Sequence, residues 1–208
     1  MEEQNLVYLL DGKLYINLTN ACTNQCLFCI RNLKDDVKGK SLWLSDEAVK
    51  SSDVIEQFEK IYNNEKDVIF CGYGEPTLKL DVLEEVAEYI KENYPQIKIR
   101  LNTNGHANFV YKRNILPELK GLVDDISVSL NAQTEELYKE LSQPNIKCET
   151  PLAEVEDFIK KSVDEGFNTT ASVVTNYKDY NVDVEKCEEI AHKLGAKFRN
   201  REWLNNGY

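Results

Sequence analysis

Three cysteines crowd into the run Ala21-Cys22-Thr23-Asn24-Gln25-Cys26-Leu27-Phe28-Cys29, with the spacing C-x3-C-x2-C. Thiolates this close along a chain wrap a single soft metal centre. A structural zinc ion needs a fourth ligand, commonly from a second Cys or His pair. The chain's two histidines, His106 and His192, are not paired, so the zinc reading lacks its second half-site. Iron–sulfur ligation fits the donor set better. Three ligands instead of four would leave one iron of a cubane open. An open metal position binds a reactant, as a catalytic zinc does. The pattern therefore points to catalysis and away from simple electron storage.

The other three cysteines are scattered. Cys187 falls on one helical face with Val184, Ile190, Ala191 and Leu194 and is expected in the core. Cys71 is expected as a buried strand cysteine, and Cys148 has no spacing partner. No second cluster of cysteines appears, so no auxiliary iron–sulfur cluster is expected.

Four further segments each end a predicted strand, where parallel α/β folds carry their sites. Cys71-Gly72-Tyr73-Gly74-Glu75-Pro76-Thr77 offers glycines that let a backbone approach a ligand; a glycine-rich turn with a surface Glu is the alternative. Leu101-Asn102-Thr103-Asn104-Gly105 contains an Asn-Gly turn that accounts for its end but not for the whole polar run. Ser127, Ser129 and Asn131 alternate and are expected to share a face. Such a polar stripe is costly inside a parallel sheet unless it is paired; an exposed sheet face is the alternative. Val173-Val174-Thr175-Asn176 ends the fifth strand.

Alternating β-rich and amphipathic runs must position these segments. Strands are predicted at Lys13–Leu18, Asp67–Cys71, Ile97–Leu101, Asp125–Leu130, Thr169–Val174 and Ala196–Arg199. Helices are predicted over Leu44–Tyr62 with Ser45 as N-cap and Asp46 and Glu47 in the first turn, and over Asp81–Asn93 with an Asp81/Glu84 capping box. More follow from Thr134, from Thr150-Pro151 to Gly166, and over Val182–Leu194, with a short helical turn at Asn114–Lys120. This alternation implies parallel strands with right-handed crossovers. It leaves an open doubly wound sheet and a full or partial barrel both standing. No linker or repeat interrupts the 208 residues, which are expected to form one domain over 1–208.

The net charge is −11 and no dense Lys/Arg cluster appears; Lys34, Lys38 and Lys40 are interrupted by Asp35 and Asp36. Nucleic acid is not expected as a tightly held partner. Apolar stretches are strand-sized, so no membrane span is expected. The acidic N-terminal residues do not make a secretion signal. A cytoplasmic location follows.

The cysteine run, with Phe28 in its aromatic position, resembles the signature of the radical S-adenosylmethionine (SAM) superfamily. The resemblance implies a partial (β/α)6 TIM-like barrel with parallel strands. It implies a 4Fe-4S cluster on Cys22, Cys26 and Cys29, with SAM on the fourth iron. There SAM is cleaved to a 5'-deoxyadenosyl radical that abstracts hydrogen from a substrate. Cys71–Thr77 resembles the family's Gly-Gly-Glu segment, with Tyr73 in place of its first glycine, and implies contacts from Gly74 and Glu75 to the methionine ammonium. Asn102 stands where some members carry an aspartate for that ammonium, Ser129 resembles the ribose and carboxylate contact, and Val174 the adenine contact. The substrate is not implied, and neither is a catalytic side chain. A reducing donor such as flavodoxin or ferredoxin is. The chain is most similar to small members associated with TatD-type nucleases. Modification of a small molecule and glycyl-radical activation of a partner protein both remain open, and a zinc-binding interaction module is the alternative of another class.

Overall fold

The computed structural model describes residues 4–45 and 48–203. The chain is α/β and gathers into two compact units.

The first unit runs through Cys22 and takes in Asp35–Asn102 and Glu118–Asp125. It opens on a hairpin that periodicity does not reveal. β1 (Val7–Leu10) pairs antiparallel with β2 (Lys13–Ile16). The turn residues Asp11 and Gly12 both have positive φ, 50° and 74°, as a two-residue hairpin turn demands. The strand predicted at Lys13–Leu18 is thus the second one, and it stops at Ile16. A smaller hairpin, β3 (Asp36–Val37) with β4 (Lys40–Ser41), follows.

α1 (Ser51–Ile61) starts well after the predicted Leu44, with Lys50 and not Ser45 at its N-cap. The reason is upstream. Leu42 and Leu44 are buried, and asparagine side chains claim their peptides. Asn17 Nδ2 donates to the Leu42 carbonyl (2.8 Å). Asn20 donates to the Leu44 carbonyl (2.8 Å) and accepts from the Leu44 N–H (2.9 Å), as a neighbouring strand would. Asp46 and Glu47 lie outside the described residues.

β5 (Asp67–Phe70), α2 (Leu80–Asn93) and β6 (Lys98–Thr103) complete this unit, in the strand order β1-β2-β5-β6. β2 and β5, and β5 and β6, are parallel. Leu14, Ile16, Val68, Phe70, Ile99 and Leu101 share one face of these strands and have no exposed surface, as expected of a covered face of a parallel sheet. α2 buries the predicted stripe of Val82, Leu83, Val86, Ala87 and Ile90. Its capping box does not form. The chain enters the helix through a 3-10 turn at Pro76–Lys79, which Glu75 caps instead.

The second unit comprises Thr23–Lys34, Thr103–Pro117 and the chain from Ile126 onward. It holds α3 (Ala107–Tyr111), β7 (Asp125–Ser129), α4 (Glu135–Ser142), α5 (Pro151–Asp164), β8 (Asn168–Thr175), α6 (Val184–Lys193) and β9 (Lys197–Glu202). Its strand order is β7-β8-β9, with β8 and β9 parallel. Thr134 caps α4 by accepting from the Leu137 N–H (3.3 Å). Asp183 caps α6 by accepting from Lys186 (3.1 Å). Cys187 is fully buried in α6, and burial pushes its thiol up to about 12, so it is core. The helical turn predicted over Asn114–Lys120 is a 3-10 turn at Leu116–Leu119, and α3 before it is not legible in the pattern. Among the described residues, no helix is long and apolar enough to cross a membrane.

Candidate metal and cofactor centre

In the first unit, the segment after β5 lies directly on the backbone that leads into Cys22. The Glu75 N–H donates to the Ala21 carbonyl (2.8 Å). A Cβ on Gly74 would fall 2.2 Å from the Thr19 carbonyl oxygen and 2.5 Å from that of Ala21. This glycine is therefore required by the chain's own packing, before any ligand is considered. Gly74→Ala should destabilise the protein by about 1–3 kcal/mol, because backbone cannot yield as a flexible side chain does. A lower urea midpoint is the expected result, and an unchanged midpoint would contradict the close approach.

Glu75 is not the surface residue of the turn alternative. It is 3% exposed, and its Oε1 accepts from the Thr77 N–H (3.2 Å) and the Thr77 hydroxyl (2.7 Å). Tyr73 is buried too, edge-on to Trp43 at 5.1 Å. Cys71 is half-buried just past β5 and not within the strand, with its carbonyl accepting from the Tyr8 hydroxyl (3.2 Å). Asn102 is half-buried, and its Oδ1 is a buried acceptor with no donor among the described residues. Such an oxygen is rare unless something outside the chain supplies the bond.

In the second unit, the cysteine loop is sewn to the end of α4. Gln25 N–H donates to the Ser142 carbonyl (3.0 Å) and Leu27 N–H to the Leu141 carbonyl (2.9 Å). These are last-turn carbonyls that the helix itself cannot satisfy. Asn145 N–H donates to the Thr23 carbonyl (2.7 Å). Within the loop, the Cys26 carbonyl accepts from the Cys29 N–H (3.1 Å) and from Asn32 Nδ2 (3.0 Å). Burial pushes the Cys29 thiol up, and Arg31, through a backbone bond and its charge, draws it back down.

A buried polar network supports the loop, and sequence reasoning misses it. His106 is 1% exposed. Its Nε2 lies 3.3 Å from the Pro151 carbonyl and 3.2 Å from the Tyr138 hydroxyl. A carbonyl only accepts, so Nε2 carries the proton and Nδ1 accepts from the Thr23 hydroxyl (3.3 Å). Thr23 Oγ1 in turn accepts from Asn104 Nδ2 (2.6 Å). Asn104 Oδ1 accepts from the His106 N–H (3.0 Å), and Asn24 Nδ2 donates to Tyr138 (3.2 Å). Burial pushes His106 down to about 4, against the pull of the Pro151 carbonyl. The available signal was the polar pair Thr23-Asn24 between two cysteines, together with His106 directly after an Asn-Gly turn.

Phe28 is 6% exposed and meets Tyr177 edge-on at 6.1 Å. Tyr177 stacks on Tyr180 at 6.0 Å and meets Trp203 at 5.1 Å. Phe28 is thereby brought to the end of β8, the strand that contains buried Val174. Ser127 and Ser129 are half-exposed along β7. Asn131 leaves their stripe. It turns left-handed at φ 64°, is 1% exposed, and bonds through Nδ2 to Ser142 Oγ (3.0 Å).

Cys22, Cys26 and Cys29 are all half-buried, and none is in a disulfide. Among the described residues, no three His, Cys, Asp or Glu side chains are gathered closely enough for a single metal ion. A cubane asks for a wider arrangement than one ion, because each thiolate ligates a different iron.

A model of the radical SAM superfamily matches residues 16–194. The chain belongs to that superfamily. Radical SAM proteins use a 4Fe-4S cluster together with SAM. A probable GTP 3',8-cyclase of Methanocaldococcus jannaschii is 29% identical over 186 residues, covering 85% of this chain and 55% of that protein. A protein of the same organism, named as a candidate glycyl-radical enzyme activating enzyme, is 28% identical over 172 residues, covering 82% and 63%. This chain thus spans little more than half the length of these relatives. Among solved structures, Streptococcus suis SuiB bound to the precursor peptide SuiA has TM-score 0.67 at 17% identity, covering 95% of this chain and 40% of SuiB. Native anSMEcpe with bound AdoMet has TM-score 0.61 at 20% identity, covering 91% and 51%. The shared fold is the radical SAM partial TIM-like barrel, which resolves the architecture that strand alternation left open.

The residues present fit the cofactor pair. Three thiols stand at the family spacing, and the buried Oδ1 of Asn102, without a donor among the described residues, is an acceptor that an ammonium would satisfy.

Proposed function

We propose that this chain is a radical SAM enzyme in which Cys22, Cys26 and Cys29 hold a 4Fe-4S cluster and SAM is the cofactor. The observation that carries the reading is the set of three half-buried thiols at C-x3-C-x2-C in a chain of this superfamily. When bound, the cluster supplies the electron that cleaves the SAM sulfonium, giving the radical that takes hydrogen from the substrate. The protein's own part is to bind and orient. Asn102 Oδ1 and the backbone at Gly74 accept from the methionine ammonium. Glu75, engaged with Thr77, holds that backbone in place. Ser129 offers a hydroxyl to the ribose or carboxylate, and Phe28 and Val174 offer apolar walls to the adenosyl part. The loop's bonds to α4 and His106 hold Cys26 and Cys29 in one geometry.

Anaerobic reconstitution with iron and sulfide, then SAM and dithionite, tests this. A brown protein with about four irons and production of 5'-deoxyadenosine is the expected result. A colourless protein that forms no 5'-deoxyadenosine, particularly one that holds zinc, would sink the proposal and favour an interaction module.

The substrate class divides between a small molecule and a partner protein. The relative named as a candidate activating enzyme favours glycyl-radical activation as the second reading. It predicts a glycyl radical signal on a partner instead of a released small product. A cytoplasmic location, a flavodoxin or ferredoxin donor, and kinship with the small TatD-nuclease-associated members belong to the same proposal.

A further inference from the structure

β9 carries Lys197, Arg199 and Arg201 at alternate positions, so all three share one face of the strand. The register identifies that face. Lys197 lies opposite Thr170, Arg199 opposite Ser172, and Arg201 opposite Val174, and paired residues of neighbouring strands project to the same side. The other side of β8 is turned to α5, since Thr169 Oγ1 is hydrogen-bonded to Ser162 of that helix. The three cations therefore stand on the side away from α5, the side that carries Val174. Phe198, Asn200 and Glu202 occupy the other side of β9, where Asn200 Oδ1 accepts from the Thr175 hydroxyl (2.9 Å).

Parallel strands ordinarily bury apolar side chains on both faces, yet Lys197 and Arg199 are exposed and Arg201 is half-exposed. Elsewhere lysines are met by carboxylates, as in Lys91–Asp124 (2.6 Å), Lys98–Asp125 (2.8 Å) and Lys161–Asp157 (2.6 Å). Among the described residues, neither Lys197 nor Arg199 has a carboxylate partner. Three like charges on one strand face repel one another in a chain of net charge −11. Two alternating guanidinium forks, about 7 Å apart along a strand, suit a carboxylate or phosphate bound bidentately. The face ends beside the aromatic corner. Trp203, just past the end of β9, meets Tyr177, and Tyr177 meets Phe28.

We propose that Arg199 and Arg201 bind an anionic group, a carboxylate or phosphate, carried by the substrate, with Lys197 adding attraction at longer range. That the anion belongs to the substrate rests on the radical SAM reading; the anion site does not.

The test is calorimetric titration of the full chain with inorganic phosphate and, separately, succinate, at ionic strength held constant with sodium chloride. Saturable binding of one of them is expected. Arg199→Gln and Arg201→Gln should each weaken it at least about tenfold, the loss of a charge-assisted hydrogen bond. Lys160→Gln, on the surface of α5, should leave it unchanged. Arg201→Lys keeps the charge without the fork and should weaken binding while preserving the fold, which circular dichroism checks. No saturable binding, or binding that survives both glutamine variants, overturns the site. The titration needs neither cluster nor turnover, so its failure is separable from a failure to form 5'-deoxyadenosine.

Discussion

Cys26→Ala will leave the protein folded and unable to hold its cluster. The expectation follows from what each part of Cys26 does. Its carbonyl accepts from Cys29 N–H and Asn32 Nδ2, and alanine retains both bonds. The bonds of Gln25 and Leu27 to the end of α4 are likewise backbone bonds. The substitution therefore removes the sulfur and keeps these backbone bonds. On the proposed ligation, two thiolates then remain of the three that would hold the cubane. Iron content, the visible absorbance of the reconstituted protein and 5'-deoxyadenosine formation should all fall to background, with the circular dichroism spectrum unchanged. Cys187→Ala is the matched control. It removes a thiol that is fully buried in α6, so it should lower stability through a small cavity and leave iron content intact. If Cys26→Ala keeps its iron and its turnover, the ligand assignment is wrong. If Cys187→Ala loses its iron with the fold intact, the distinction between core and ligand cysteines is wrong.

The superfamily was legible because the cysteine spacing is a local property, and so was the core stripe of α2. Strands β5 and β8 were legible as apolar runs between turns. What was not legible depends on partners distant in sequence. Leu42 and Leu44 have the composition of a helix start, but Asn17 and Asn20 hold them extended, and nothing near position 42 announces that. The first hairpin depends on Asp11-Gly12 taking left-handed backbone, a two-residue signal easily lost beside an acidic N-terminus. Gly74 was legible as special, but for an incomplete reason. The nearest constraint is the carbonyl of Thr19, more than fifty residues away in the chain. Asn131 shows the converse error. Alternation put it on the serine stripe, and its left-handed turn took it off and buried it against Ser142. The burial of His106 was not legible, since its partners Thr23, Tyr138 and Pro151 come from three separate segments.

Acid will expose that histidine. His106 is almost wholly buried and is held down to about 4 from an ordinary 6.5, chiefly by burial. Above pH 6.5 the histidine is neutral in both folded and unfolded chains, and it contributes no pH dependence. Below 6.5 the unfolded chain takes up a proton that the folded chain refuses. Stability therefore falls as pH drops from 6.5 to about 4 and levels off below, where both states are protonated. The loss from this one group is about 3 kcal/mol across the window. Protonation also places a second N–H where Nδ1 accepts from Thr23, so the brace on the cysteine loop loses an acceptor as it gains a charge. Carboxylates add their own acid dependence, so the informative quantity is a difference. His106→Gln is neutral at every pH. It should be less stable than the parent at pH 7 by about 1–3 kcal/mol, from broken buried hydrogen bonds. That gap should close, or reverse, between pH 6.5 and 4. Urea unfolding of the two proteins at half-unit steps of pH measures it. A gap that stays constant across the window would mean that His106 is not held neutral in the folded chain.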